Sequence, residues 1–426
     1  MKEPQGGESE RAHTGEHRGL VVGAAGMMAA GFLTTFLSPL LAVSFAREFH
    51  FGIASAGLLV ACGQGGVALS AFGVLPALPR LDRRKVGIAG ALLAAACLSL
   101  TGFATGFGVV LALQIMTGIG AGLCYACANS ALAYARLPER AFSIVTITWM
   151  LVGALMLTLG PSLHDIWPKV GIYLGIAVAE LLCIALIVRL PDVRFLPKDD
   201  TPSVKPGEEV SGQGLSCDEG RTGLSERLRI VGPAALLVGV MGVLEIGNAM
   251  VWTFAEPIGE QAGLSVQTTA MFLGASQLIG LVGAGITMAF GAKVGKMTLI
   301  VPAVAALGAG NLLVGTAASP APFIAGFLAI NLAFFCVTPL LLALAAELDT
   351  NSGRLVVLAG GTALVAGAIA PALAGVIAGT DGHWSRLGVT SLVLMLVSVP
   401  LLVLPVRTAK RRVGSTADLA TDMHAN

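Results

Sequence analysis

From residue 20 onward the chain alternates between long apolar stretches and short polar breaks. Inside the stretches the interruptions are Gly, Ser, Thr or a single amide, and the apolar character is continuous rather than alternating. Runs of about 20 such residues are long enough to cross a bilayer as helices. The pattern predicts twelve spans, near 20–46, 53–76, 86–105, 108–135, 141–163, 169–190, 231–255, 267–290, 297–317, 321–346, 355–379 and 386–406. The first eighteen residues are polar and carry both signs, unlike a cleavable signal peptide. Between the sixth and seventh spans, residues 191–230 are rich in Asp, Glu, Lys, Gly, Ser and Pro, too polar to insert or to form a core. The expected organisation is a tail over 1–19, six spans over 20–190, a linker over 191–230, six spans over 231–406 and a tail over 407–426.

Charge placement supplies an orientation. If the N-terminus is cytoplasmic, 23 of the 26 Lys and Arg fall in the tails, the linker and the loops on that side. Only Arg47, Lys169 and Arg386 fall on the other. A wrong span number would scramble this asymmetry, so the positive-inside rule places both termini in the cytoplasm. Composition agrees: 55% hydrophobic, 12% charged and a mean hydropathy of +0.83 exclude a soluble enzyme, a nucleic-acid binder and a disordered chain. Of seven cysteines, six lie in spans and Cys217 in the linker, giving no disulfide framework. Cys124 and Cys127 have CxxC spacing in mid-helix, beside no His or acid, and read as packing residues. The six His occupy tails or loop ends, so no metal site is expected. No catalytic triad or phosphate-binding loop appears, and neither enzyme activity nor a cofactor is expected. The absence of an Asn-x-Ser/Thr sequon fits a bacterial inner membrane.

Several short motifs sit at telling places. The loop after span 2 reads GVLPALPRLDRRKV, with Gly73, Leu75, Asp82, Arg83, Arg84 and Lys85, and Ala77 where an acid would stand. The loop after span 8 keeps Gly291, Lys293, Gly295 and Lys296, and LDTNSGRL precedes span 11 at 348–355. Span 4 carries Gly118, Gly120 and Gly122, with Gln114 four residues earlier. Span 5 carries Gly153, Gly160 and Pro161, and span 11 has Pro371. Together with six-plus-six spans, this set resembles the major facilitator superfamily of secondary transporters over about 20–406. The resemblance implies an all-helical membrane fold of two six-helix bundles. It also implies alternating access, a small-molecule substrate, ion-driven transport without a nucleotide-binding domain, and function as a monomer. It implies a latch at Asp82, Arg83 and Arg84 that breaks and remakes as the halves rock, although these cations also serve as topology determinants. Gly160 and Pro161 resemble the Gly-Pro element of exporters, where they bend the helix and pack it against the other half. Where proton antiporters of this type carry a buried Arg, this chain has Gln114.

Ionisable groups inside a membrane are costly and mark function. Two lie well within spans, Glu180 in span 6 and Glu245 in span 7. In the resembled fold, spans 1, 4, 7 and 10 line the cavity and spans 3, 6, 9 and 12 support it. Glu245 then has the better position, and Glu180 reads as a packed carboxyl. At 100° per residue Glu245, Asn248, Trp252 and Glu256 fall within about 80° of one another, although the last two also suit an interfacial belt. Span 4 offers Gln114, Tyr125 and Asn129; span 10 offers Asn331, Phe334 and Phe335; span 1 offers Phe32, Thr35 and Phe36. Such amides and aromatics serve equally as glue between helices. The expected function is proton-coupled export of an amphipathic organic solute, with Glu245 carrying the proton. Import of an organic acid or metabolite, and a non-transporting sensor or assembly role, remain open beside it.

Overall fold

The computed structural model describes residues 6–74, 76–78, 80–132, 138–191, 222–291, 293–348, 354–379 and 381–425. Among them every regular element is an α-helix. Most of the expected linker, 192–221, lies outside the described residues, as do Leu75, Cys217 and residues 349–353 of the LDTNSGRL motif.

α1 (Gly6–Phe36) and α2 (Ser38–Arg47) form one traverse that breaks at Leu37. Pro39, which has no N–H to donate, occupies the first turn of α2, where a helix tolerates it. Single helices follow: α3 (Ile53–Val74), α4 (Arg83–Thr101), α5 (Phe107–Leu132), α6 (Pro138–Ile166) and α7 (Gly171–Ile187). The second half repeats the scheme. α8 (Thr222–Thr253) breaks into the short α9 (Ala255–Gln261), and α10 (Val266–Ser276) continues as α11 (Leu278–Phe290). α12 (Lys296–Gly315), α13 (Pro320–Leu348), α14 (Arg354–Ala378) and α15 (Trp384–Ala425) complete the chain.

Eleven of the described helical segments are long and apolar enough to cross a membrane. The segment expected as the sixth span, 169–190, forms the apolar helix Gly171–Ile187 of 17 residues. At 1.5 Å per residue it is about 26 Å long, a little under the roughly 30 Å hydrocarbon thickness.

Helix pairing inside the two halves is the same. α1 packs on α5, α6 and α7, as α8 packs on α13, α14 and α15. α4 packs on α5 and α7, as α12 packs on α13 and α15; α3 meets α5 as α11 meets α13. Between the halves, α3 runs along α14 and α6 meets α10, which are equivalent pairs under this repeat. Large exposed apolar side chains identify the outer faces: Leu92 and Leu100 on α4, Leu182 on α7, Leu313 on α12, Leu396 on α15. Among the described residues α1, α2, α8, α9 and α13 present none, so these traverses run through the middle of the bundle.

Two packed cores divide the interior. One joins both halves at the end of the bundle away from the chain termini, hereafter the distal end, through Leu40, Phe45, Leu59, Tyr173, Val251, Phe254, Ile258, Phe323 and Trp384, and continues through the second half to Leu348, Leu355 and Ala409. The other lies toward the termini and is built by the first half, from Leu20, Met27, Ala71, Leu132, Val145 and Leu190, with Leu364 of α14 packed against it. Both halves thus share the distal core, and toward the termini they still meet where Phe72 of α3 lies against Gly361 of α14.

Candidate functional site

The span 4 glycines explain how the first half closes around its own axis. A Cβ on Gly118 would strike the Gly63 carbonyl of α3, and one on Gly122 would strike the Val67 carbonyl and Ser70 Oγ. One on Gly120, on the opposite face, would strike the Gly90 carbonyl of α4. Without side chains at these three positions, α5 lies backbone to backbone between α3 and α4, the contact that small residues allow in membrane helices. Gln114 is brought with it: its residue is 3% exposed, its Oε1 lies by Gly63, and its Nε2 has no hydrogen-bond partner.

Glu245 occupies the stretch of α8 from Val240 to Thr253, in which no residue is exposed. Glu245, Asn248 and Trp252 are each half-buried there, so their free surface faces the interior of the bundle and not lipid. The Glu245 Oε1 and the Gln64 Oε1 of α3 lie 3.8 and 3.5 Å from the point where a Cβ on Gly367 of α14 would sit. The carboxyl thus lies at the junction of α8 with the α3–α14 seam, where the two halves meet. Gln64 was not singled out in the sequence, although it is the one amide of the second span and stands among Gly63, Gly65 and Gly66.

Two turns further along α8, Trp252 enters a row of rings contributed by both halves. Its ring centroid lies 5.6 Å from Phe36 and 6.2 Å from Phe327. Phe36 lies 5.7 Å from Trp149, Trp149 stacks on Phe32 at 5.0 Å, and Phe32 meets Tyr125 edge-on at 5.2 Å. The stripes expected on spans 4 and 7 are therefore joined through span 1 and through Trp149, a second missed residue. Its signal was position: a Trp well inside span 5 is too deep for an interfacial belt.

Other candidates are committed elsewhere. Asn331 is buried and donates from Nδ2 to Ser276 Oγ (3.0 Å) and to the Phe327 carbonyl (3.1 Å), tying α13 to α10. Asn129 donates to the Tyr125 carbonyl at 2.9 Å, whereas Asn248 keeps a buried Oδ1 with no hydrogen-bond partner. Phe334 is half-buried and packs edge-on against Phe335, 5.5 Å away. Glu180 is 0% exposed and neither oxygen is hydrogen-bonded.

At the termini end, Asp82 caps α4 by accepting from the backbone N–H groups of Arg84 (3.1 Å) and Lys85 (3.3 Å). Partial burial opposes its ionisation. The bonds and charge of Lys85, with the Arg84 N–H, outweigh this and hold its carboxyl below the usual range. Arg83 is 8% exposed and donates from Nε to Ser130 Oγ at 2.8 Å, joining the start of α4 to the end of α5. The second half makes the equivalent tie with an ion pair between Lys296 and Glu347. These bonds all fall within a half. In α6, Gly153 and Gly160 lie against Phe36 and Leu40 of the first traverse. The other half is met instead by Ala154, which approaches Gly274, and by Thr158, whose carbonyl accepts from Gln267 Nε2 at 3.2 Å.

The distal end is shut. Arg47 of α2 pairs with Glu260 of α9 across the two halves. A Cβ on Gly57 of α3 would strike the Pro371 carbonyl of α14, and Phe254 stacks on Trp384 at 5.4 Å. Glu256, just beyond the spanning segment, is 3% exposed. Burial, then the Glu260 charge, push its carboxyl up to about 8 against the opposing pull of Arg47.

The family model described as Major Facilitator Superfamily matches residues 23–360. No curated protein sequence matches the chain. Solved structures similar to it include a peptide transporter, POT, in complex with sulfate. It has 16% identity and a TM-score of 0.69, with 92% of this chain and 95% of that one covered. A bacterial homolog of the human lysosomal transporter Spinster, in an inward-facing and unoccupied conformation, has 14% identity and a TM-score of 0.63, covering 93% and 97%. The nucleoside transporter NupG, as a mutant, has 13% identity and a TM-score of 0.63, covering 93% and 98%.

Proposed function

The chain belongs to the major facilitator superfamily, and from that membership we propose that it moves a small organic solute by alternating access, coupled to protons at Glu245. The observation that carries the reading is the position of this carboxyl. It is half-buried on a helix without an exposed residue around it, at the seam where α3 and α14 of opposite halves meet. A carboxyl in such a place exchanges its proton with whichever side the seam opens to, and opening one side shuts the other. Asn248, with its free Oδ1, and Gln114, with its free Nε2, supply hydrogen-bonding groups along the same interior. Trp252, Phe36 and Trp149 supply flat apolar faces. A core shared by both halves closes the distal end, while toward the termini the halves still meet where Phe72 of α3 lies against Gly361 of α14. With the cationic side taken as cytoplasmic, the termini face the cytoplasm of a bacterial inner membrane and the closed end faces away from it. Export is the favoured direction, because no deep cation is present to receive the carboxylate of an organic acid.

The test uses purified protein in liposomes, with a solute found by thermal-shift screening. Glu245→Gln is expected to abolish accumulation driven by a pH gradient while retaining counterflow exchange of the same solute. Full gradient-driven accumulation by the variant would remove Glu245 from coupling. Uptake driven only by an inward proton gradient in right-side-out vesicles would reverse the assigned direction.

A further inference from the structure

A cavity of about 270 Å³ lies at the distal end, and Glu245 is not among the residues that line it. Its walls come from both halves: α2, the end of α6 and the start of α7 on one side, Glu256 of α9 and Ser265–Gln267 on the other. The charged groups that line it are Arg47, Glu48, His164, Asp165 and Glu256. Arg47 is taken up by Glu260, which stands one turn along α9 from Glu256. His164 Nε2 lies 3.6 Å from Glu48 Oε1, and its Nδ1 has no hydrogen-bond partner. Glu48 also faces the buried Tyr173, whose hydroxyl is hydrogen-bonded to Ser44 Oγ at 2.8 Å. Two carboxyls remain. Asp165 is exposed, and Glu256 is nine-tenths buried in the wall, where among the described residues burial and the charges of Glu260 and Arg47, but no hydrogen bond, act on its carboxyl.

A buried carboxyl without a donor is unfavourable unless something supplies one. Ser44, Ser265 and Gln267 add polar groups, and Leu40, Val43, Pro161, Ile172 and Val266 make the remainder of the lining apolar. Among the described residues no group of three or more Asp, Glu, His or Cys is placed to hold a metal ion. The volume is just below the range of about 300–1,000 Å³ usual for small-molecule pockets. The lining calls for positive charge, N–H donors and a short hydrocarbon body.

We propose that this distal cavity binds a compact organic cation, a primary alkylammonium, whose N–H groups bond Glu256 while its carbon chain lies on Leu40 and Ile172. Because the ligand touches both halves, its binding holds the distal end shut and slows transport. The site does not depend on the role given to Glu245, which lies about three helical turns away along the same traverse.

The experiment measures thermal unfolding of the purified full chain with n-butylammonium, and with butyrate and n-butanol as anionic and neutral counterparts of similar size. A saturable rise in Tm with n-butylammonium alone is expected. Glu256→Gln should weaken the apparent affinity about tenfold or more, since a charge-assisted bond is replaced by a neutral one. Glu245→Gln should leave it unchanged. Asp165→Asn, at an exposed position, should weaken it about twofold to threefold, and it decides the matter if Glu256→Gln does not fold. An equal response to butyrate, no response to the amine, or a response lost with Glu245→Gln and kept with Glu256→Gln would each overturn the proposal. In the last case the amine binds the central site.

Discussion

Glu245 and Glu256 share a traverse and a side-chain chemistry, but their surroundings differ. Glu245 is held at the seam of the halves, with Gln64 as its polar neighbour. Glu256 sits in the distal wall, between the charges of Glu260 and Arg47. Its carboxyl, ordinarily near 4.5, is raised to about 8, so without a bound cation the distally closed state holds a proton that an exposed Glu256 releases. The sign follows. Stability from this group is fully present below about pH 4.5 and is lost as pH rises toward and through 8. The distal end should accordingly open more at pH 9 than at pH 6, measured as a longer distance between spin labels placed across it. Glu256→Gln should remove most of that dependence. A response of unchanged size in the variant would assign the titration to another group.

Among the helices, the glycines of α5 show how a motif becomes a contact. The spacing of Gly118, Gly120 and Gly122 announced close packing, but which neighbours it admitted depended on rotation about the helix axis. Even positions alternate between α3 and α4 because two residues turn a helix by about 200°. Gly118→Val places a side chain against the Gly63 backbone, where no rotamer relieves the overlap. It should cost about 1–3 kcal/mol, read as a lower thermal midpoint of the purified protein. Gly65→Ala, on the neighbouring helix, meets open space and should be neutral or stabilising by up to about 1 kcal/mol from helix propensity. Equal destabilisation by both would mean that these glycines serve flexibility and not approach. The glycines of α6 illustrate a different outcome. Gly153 and Gly160 pack within their own half against Phe36 and Leu40, and the cross-half contact passes to Ala154 and Thr158 on another face of the same helix.

For the molecule as a whole, what holds the distal end closed is mainly packing. The Arg47–Glu260 pair bridges the halves, but its side chains are 49% and 26% exposed, and such pairs are worth about 0–1 kcal/mol. Glu260→Gln should therefore shift the open–closed equilibrium by less than about fivefold. Gly57→Leu drives a side chain into the Pro371 backbone at the α3–α14 seam and should open the distal end far more. Spin-label distances across that end compare the two variants directly. A larger shift from Glu260→Gln than from Gly57→Leu would make the ion pair the principal latch.

Hydropathy read along the chain established the membrane class and the approximate spans, because crossing a bilayer demands a contiguous apolar length that needs no partner to be recognised. Intramembrane carboxyls were equally legible, since they are few and expensive. Breaks within a traverse, at Leu37 and Phe254, and the shortness of α7 were less so, because they depend on local backbone choices that hydropathy averages over. Functional grouping was out of reach of the sequence. Gln64, Trp149 and the distal set of Glu48, His164, Asp165 and Glu256 are spread over α3, α6, the end of α2 and α9, and no sequence pattern joins those four segments. Asn331, a plausible ligand by address, is bound to Ser276 by a contact 55 positions away. One-dimensional order carries the solvent each segment requires, while contacts between segments arise from how the helices rotate and pair, which is settled when all of them pack together.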